Sequence, residues 1–205
     1  MITLVGGRVT PSFTRNWLNK AGSKNLPAQF GVPDKIALVA TLVAVASWVA
    51  APFNEISGGL VLLATAAQAI RLSRWQGHRC LSEPLVLALH VGYAWLILGL
   101  GLLGTAIMFD TIPQSAALHG LTVGMIGTMT LAVMTRATLG HSGQPLRADL
   151  ATQTIFVLVV CAALTRVMAP LMGEDYLFYL MLAGGLWIAT FSLFVIRYLP
   201  LWTRK

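Results

Sequence analysis

Histidine is the residue type in this chain best suited to hold iron or copper, because imidazole is a ligand that both metals accept. Two of the four histidines, His90 and His119, lie inside long apolar runs. An ionisable side chain is costly in such a run and usually faces a partner or a cavity. Each histidine could therefore ligate haem or copper, relay a proton, or remain a neutral imidazole hydrogen-bonded between helices.

Further candidate ligands surround the fourth apolar run. His141 is a third candidate metal ligand, whereas His78 lies in a basic connection and is the least convincing. Arg136 closes the run, where it could snorkel to the membrane interface or hold a haem propionate through paired hydrogen bonds. Met125 and Met129 offer thioethers that suit cuprous copper, although methionines at helical spacing are more often packing residues.

Two threonines share a face of an ideal helix with the histidines at either end of this run. Successive residues of an α-helix are 100° apart around its axis, which places Thr122 and Thr130 on the same side as His119 and His141. The two hydroxyls could line a narrow polar path, or each could donate to the backbone carbonyl one turn earlier. Back-bonding is the simpler interpretation of either threonine alone.

The elements that must position these residues are six apolar runs, in a chain that is 57% hydrophobic and 10% charged. Each run approaches the roughly 20 residues that cross a hydrocarbon core about 30 Å thick. The pattern predicts an all-α integral membrane protein with a six-transmembrane-helix bundle over residues 35–199, an N-terminal segment over 1–34 and a tail over 200–205. The predicted spans are Lys35–Phe53, Ser57–Arg71, Leu85–Phe109, Ser115–Thr135, Leu150–Ala169 and Tyr176–Leu199.

Lys and Arg are distributed unevenly among the connections between these spans. All but one of the fourteen lie near the chain ends or in the second and fourth connections, and Arg166 is the exception. By the positive-inside rule, both termini and the even-numbered connections face the cytoplasm. The net charge of +7 is then explained by contact with the headgroups of the lipid bilayer, and no nucleic-acid partner is expected.

The directions of the spans set the depths of the two intramembrane histidines. His90 follows the cytoplasmic start of its span and lies about 9 Å from that face at 1.5 Å per residue. His119 lies only about 6 Å from the opposite face. In a core about 30 Å thick, the two imidazoles are then separated by roughly 15 Å along the membrane normal. We therefore expect them to serve different sites.

The N-terminal segment contains the signals of a short helix. Ser12 can cap its start and Gly22 can end it. Such a helix could lie on the cytoplasmic membrane surface as an amphipathic segment, or it could be an ordered linker between two bundles. Asp34 is placed to cap the first span.

Arg166 lies near the end of the fifth span, close in sequence to the acidic pair Glu174 and Asp175. A basic side chain within a span usually pairs with an acidic one. The sequence therefore predicts a local ion pair between Arg166 and one of these carboxylates.

Three stretches of the chain resemble the NnrS family, multi-pass proteins of the bacterial inner membrane that are associated with nitric oxide metabolism and described as containing haem and copper. They are GGRVTPSFTRNWL (Gly6–Leu18), RLSRWQGHRCLSEPLVLALHVGYAWLILGLGLLG (Arg71–Gly104) and HGLTVGMIGTMTLAVMTRATLGHSGQPL (His119–Leu146).

The resemblance implies a protein of nitric oxide metabolism or of resistance to nitrosative stress. It implies haem, with copper as a second cofactor, near His90, His119 and Arg136, and His141 as a further metal ligand. The haem would be non-covalent, since the chain has no CxxCH attachment sequence. The alternative function is a transporter-like or structural accessory subunit of a membrane respiratory complex.

The chain departs from the family in length. Members of the family are about twice as long and cross the membrane twelve times, and this chain resembles only their C-terminal half. The histidine-rich, HAHE-like segment of the N-terminal half is absent from this sequence. The resemblance therefore implies a partner chain or a missing N-terminal six-span half that completes the metal or haem sites.

Overall fold

The computed structural model describes residues 2–203, which fold into α-helices joined by short turns. Arg204 and Lys205, from the predicted C-terminal tail, lie outside the described residues. A π-helix, Gly120–Gly127, interrupts the fourth apolar run. The α-helices are α1 (Ile2–Lys20), α2 (Val32–Ala50), α3 (Glu55–Ser73), α4 (Pro84–Phe109), α5 (Gln114–His119), α6 (Thr128–His141), α7 (Leu150–Met168) and α8 (Tyr176–Thr203).

Within residues 2–203, six helical segments are long and apolar enough to cross a membrane, which confirms the prediction of an all-α, six-span membrane protein. Each segment overlaps one of the six predicted spans and extends past it at one end or both. The first span falls short at its C-terminal end, since the helix stops at Ala50 and not at Phe53. The segments are Val32–Ala50, Glu55–Arg79, Pro84–Phe109, Gln114–His141, Leu150–Leu171 and Gly173–Thr203.

The central element of the bundle is α4, which is buried along most of its length and packs against α1, α3, α5, α6 and the π-helix. It begins with Pro84. Amide groups in the first turn of a helix have no partner within the helix, so a proline, which lacks the amide hydrogen, is tolerated there. Gly92 lets α4 approach α6 closely, since a Cβ atom there would lie 3.1 Å from the backbone nitrogen of Met129. Close packing of small residues is a common means of helix association in membranes.

α1 differs from the predicted N-terminal helix. It begins at Ile2 and runs through Ser12, so the prediction that Ser12 caps the helix is wrong. The predicted end is confirmed, because the helix stops at Lys20 and Gly22 adopts the left-handed conformation with φ of 70°. The helix packs mainly against α4, and its glycines also meet Met129 in α6 and Arg71 in α3. Its buried residues are Gly6, Gly7, Thr10, Thr14 and Leu18.

The start of α2 also differs in detail from the prediction. Gly31 is the cap residue and Asp34 lies three positions further along, inside the first turn. Its carboxylate oxygen Oδ2 accepts a hydrogen bond of 2.9 Å from the Gly31 amide. Asp34 therefore stabilises the helix start from within the helix, where a negative charge also complements the helix dipole.

Candidate functional site

A fully buried arginine organises the largest polar cluster among the described residues. Arg71 lies in the last turn of α3 and has no solvent exposure. Its Nε donates to Asp34 Oδ1 over 2.9 Å, and its Nη1 donates to the Tyr93 hydroxyl over 2.9 Å. We name Asp34, Thr41, Gln68, Arg71 and Tyr93 the Arg71 cluster. Arg71 ends the predicted second span, and its side chain turns back into the bundle.

The rest of the cluster continues the hydrogen-bond chain into α2. The Tyr93 hydroxyl donates to Gln68 Oε1 over 2.7 Å. Gln68 Nε2 in turn donates to Thr41 Oγ1 over 2.8 Å. The cluster therefore joins α2, α3 and α4 and satisfies groups that would be very unfavourable alone in an apolar interior.

α1 contributes two backbone carbonyls to the same arginine. Arg71 Nη1 donates to the carbonyl of Thr3 over 2.8 Å, and Nη2 donates to that of Gly7 over 3.4 Å. Pro11 lies four residues after Gly7 and has no amide hydrogen to offer that carbonyl. The proline thus leaves an acceptor on α1 that the guanidinium uses, which no pattern in the sequence indicates.

His90 lies beside this cluster and also contacts α1. Its Nε2 is 2.9 Å from the Thr14 hydroxyl oxygen. Its Nδ1 faces the turn Gly77–Arg79, where a Cβ atom on Gly77 would lie 2.5 Å from that nitrogen. The ring also meets Trp75 edge-on, with centroids 6.4 Å apart. Both ring nitrogens are therefore covered by protein groups.

Arg136 makes a further contact between the bundle and α1. Its guanidinium carbon lies 3.9 Å from the centre of the Phe13 ring, within the range of a cation–π interaction. Together with Arg71 and His90, it holds α1 against the bundle. The structure therefore brings two of the predicted site residues, His90 and Arg136, to the same helix.

His119 lies elsewhere, as the last residue of α5, and is partly exposed. Its neighbour Gly120 packs between α4 and α7, since a Cβ on Gly120 would lie 3.3 Å from Gly99 Cα and 3.8 Å from Val167 Cγ2. His119 and His90 thus have different neighbours. His141 is exposed and lines a pocket of about 340 Å³. Thr138 of the same helix and Trp202 of α8 also line this pocket.

The π-helix Gly120–Gly127, which follows His119, was not predicted from the sequence. Bulky rings pack onto its glycines: Trp95 covers Gly124, and a Cβ on Gly127 would lie 2.8 Å from the Trp187 ring. Wider helical turns of this kind occur frequently at functional sites. The glycine spacing was the available signal, but it also fits ordinary helix packing.

The threonines on this run do not form an enclosed path within the described residues. The Thr122 hydroxyl donates to the carbonyl of Leu118 over 2.8 Å, as the back-bonding interpretation predicted. Both Thr122 and Thr130 are exposed on the side of the helix that faces away from the bundle. The shared face therefore points outward.

Arg166 has no acidic partner among residues 2–203, so the predicted ion pair with Glu174 or Asp175 is wrong. Its Nη1 is buried and has no hydrogen-bond partner. Glu174 and Asp175 are exposed in the turn Gly173–Asp175. The guanidinium instead borders a pocket of about 220 Å³ between the π-helix, α7 and α8.

Copper and haem iron place different demands on the ligands that this protein offers. Within residues 2–203, no group of three or more His, Cys, Asp or Glu side chains is close enough to hold a metal ion. The described residues therefore do not fit a complete copper site. Haem iron can be held by a single axial imidazole, and the partly exposed ring of His119 fits that requirement.

A protein-family model described as NnrS protein matches residues 1–205. Comparison with curated proteins and comparison with solved structures each gave no match.

Proposed function

Because this chain belongs to the NnrS family, we propose that it acts in nitric oxide metabolism or in resistance to nitrosative stress, as a multi-pass protein of the bacterial inner membrane. The match over the whole chain is the observation that carries this proposal. The distribution of Lys and Arg supports an orientation with both termini in the cytoplasm.

We assign non-covalent haem to the side of the bundle that carries His119. This imidazole is partly exposed at the junction of α5 and the π-helix, whereas His90 is buried with its Nδ1 against Gly77. Haem iron, when bound, would supply the position at which a diatomic gas binds. The protein would orient the ring through His119 and exclude water with the apolar helices around it.

His90 has a different role in this proposal. For it to bind a metal, its ring would have to leave Thr14 or displace the turn at Gly77. We therefore infer that His90 supports the position of α1, and that Arg136 does the same through Phe13. A propionate contact at Arg136 would require that cation–π contact to open.

The remaining ligands would come from another polypeptide. Copper needs several donors, and this chain offers isolated ones such as His119 and His141. The partner we propose is the N-terminal six-span half that the family resemblance implies, whether it is joined to this chain or separate. The two halves would meet at the surfaces that carry these histidines.

The test is an optical and metal-content measurement on the complete complex purified in detergent. We compare wild type with His119→Ala and His90→Ala, and use His78→Ala, in an exposed turn, as the matched control. Stoichiometric haem that is lost in His119→Ala and kept in His78→Ala would support the proposal. Intact, folded complex with neither haem nor copper would contradict it.

One observation favours the second candidate, a structural or transporter-like subunit of a respiratory complex. The Arg71 cluster is closed by protein groups, which is what a rigid structural core requires. In that case the histidine variants would change the stability of the assembly, and the optical spectrum of wild type would show no haem.

A further inference from the structure

The guanidinium of Arg166 has two unmet interactions within residues 2–203: a buried nitrogen without a hydrogen-bond acceptor, and a charge without an ion pair. Its Nη1 is shielded from solvent and donates to no protein acceptor. None of the ion pairs in the described part of the chain involves this residue. A basic group near the end of a membrane span is costly, and arginines in such positions usually pair with an acceptor.

The space beside this side chain is a defined pocket. It has a volume of about 220 Å³, and its remaining lining is apolar. Gly184 contributes to one wall from α8, and a Cβ atom built there meets no other atom within 4 Å. The lining residues other than Arg166 are Val123, Ala162, Leu180, Ala183, Gly184 and Trp187.

The lining of the pocket carries positive charge and no negative charge. Among the described residues, Arg166 is the only ionisable one that lines the pocket. The carboxylates of Glu174 and Asp175 lie in an exposed turn and form no ion pair with it. The residue after His119, Gly120, packs against the same helix as the pocket, with a Cβ position 3.8 Å from Val167 Cγ2 in α7, but His119 does not line the pocket. The pocket therefore presents donors and positive charge, with no acceptor of its own.

We propose that this pocket binds a small planar oxyanion, of the nitrite, nitrate or formate type, through the guanidinium of Arg166. A guanidinium carries parallel N–H donors that match two oxygens of a planar anion. The apolar walls favour a small monovalent ion over a strongly hydrated one, because they offer no further polar groups to replace water. Trp187 lies in the wall and reports on the occupancy of the pocket.

The experiment is a fluorescence titration of the full chain, purified in detergent, with sodium formate at constant ionic strength. Sodium chloride replaces formate in the reference titration. We expect a saturable change in tryptophan emission with formate that is absent from Trp187→Phe. Repeating the titration with nitrate, followed by calorimetry because nitrate interferes optically, tests the breadth of the site.

Two arginine variants test the assigned residue. Arg166→Gln should weaken formate binding about tenfold or more, the expected loss for one charged hydrogen-bond donor. Arg166→Lys keeps the charge without the planar fork and should fall between it and wild type. Arg147→Gln, which removes the same charge from the exposed connection between α6 and α7, should bind formate like wild type.

A pocket-filling variant keeps the test decisive if Arg166→Gln does not fold. Gly184 lines the pocket and has open space around its Cβ position, so Gly184→Leu should fill the pocket and abolish the saturable change. Wild-type affinity in folded Gly184→Leu or in folded Arg166→Gln would overturn the proposal. A response to formate that equals the response to chloride would overturn it as well, as would a carboxylate or lipid phosphate found on Arg166 in the purified complex.

Discussion

Thr14 on the N-terminal helix α1 positions the imidazole of His90 through a hydrogen bond of 2.9 Å between Oγ1 and Nε2. The Thr14 hydroxyl donates its own hydrogen to the carbonyl of Thr10 over 2.8 Å. The oxygen must then accept from the imidazole, so the hydrogen of the neutral ring lies on Nε2. The lone pair on Nδ1 consequently faces Gly77, which blocks it as a metal ligand.

Replacing Thr14 with Val should destabilise the protein by about 1–3 kcal/mol, because the buried Nε2–H of His90 would lose its acceptor. Thermal unfolding in detergent measures the change. Ser12→Ala, an exposed position on the same helix, should leave the midpoint close to that of wild type. Equal midpoints for Thr14→Val and wild type would mean that the hydrogen bond does not hold α1.

Gly77→Ala should also destabilise the protein, by about 1–3 kcal/mol, because its Cβ would lie 2.5 Å from His90 Nδ1 and force the ring or the turn to move. The comparison is Gly140→Ala in α6, where a Cβ meets no atom within 4 Å. That control should be neutral or stabilising, since alanine favours a helix more than glycine does. A Gly77→Ala protein as stable as Gly140→Ala would show that the turn leaves room beside the imidazole.

Arg71→Met should destabilise the bundle by about 3–5 kcal/mol, because it leaves the buried carboxylate of Asp34 without its main partner. Arg74→Gln removes a second, more exposed contact to the same carboxylate and should have a clearly smaller effect. The double variant Asp34→Asn/Arg71→Met should recover part of the loss, since neither charge is then buried alone. Additive losses in the double variant would argue against coupling between the two residues.

Asp149 supplies a prediction about pH at the ends of α7 and α8. Burial raises the pKa of its carboxyl, but hydrogen bonds from Thr152 and from Arg197, the latter over 2.6 Å, outweigh burial and bring the pKa below the ordinary 3.8. A carboxyl with a lower pKa in the folded state binds fewer protons there than in the unfolded chain. Its stabilising contribution is therefore complete above pH 3.8 and is lost as the pH falls through the lower, folded value.

We expect Asp149→Asn to unfold at a lower temperature than wild type at neutral pH, and the difference to shrink as the pH falls below 3.8. Unfolding midpoints measured between neutral and acidic pH test this expectation. Glu174→Gln, in an exposed turn, serves as the control and should follow the wild-type curve. A difference for Asp149→Asn that stays constant with pH would show that the carboxylate charge does not contribute.

The amino-acid sequence by itself determined the class of the protein and the number of its spans. Runs such as Pro84–Phe109 are so apolar that only a membrane or a protein core can surround them, and helices satisfy their own backbone hydrogen bonds there. The family resemblance was equally a property of the sequence, because it rests on ordered stretches of residues. These features depend on local composition and order, which require no knowledge of the fold.

Only the tertiary structure decided how the polar residues are used. In the sequence, Arg71 is one more basic residue at the end of a span. In the structure it is held inside the bundle by hydrogen bonds to Asp34, Tyr93 and carbonyls of α1. Arg166 reads as half of an ion pair, yet no carboxylate reaches it in the described part of the chain. Such outcomes depend on distances between residues that are far apart in sequence or on opposite sides of a turn, and hydropathy and spacing carry no information about those distances.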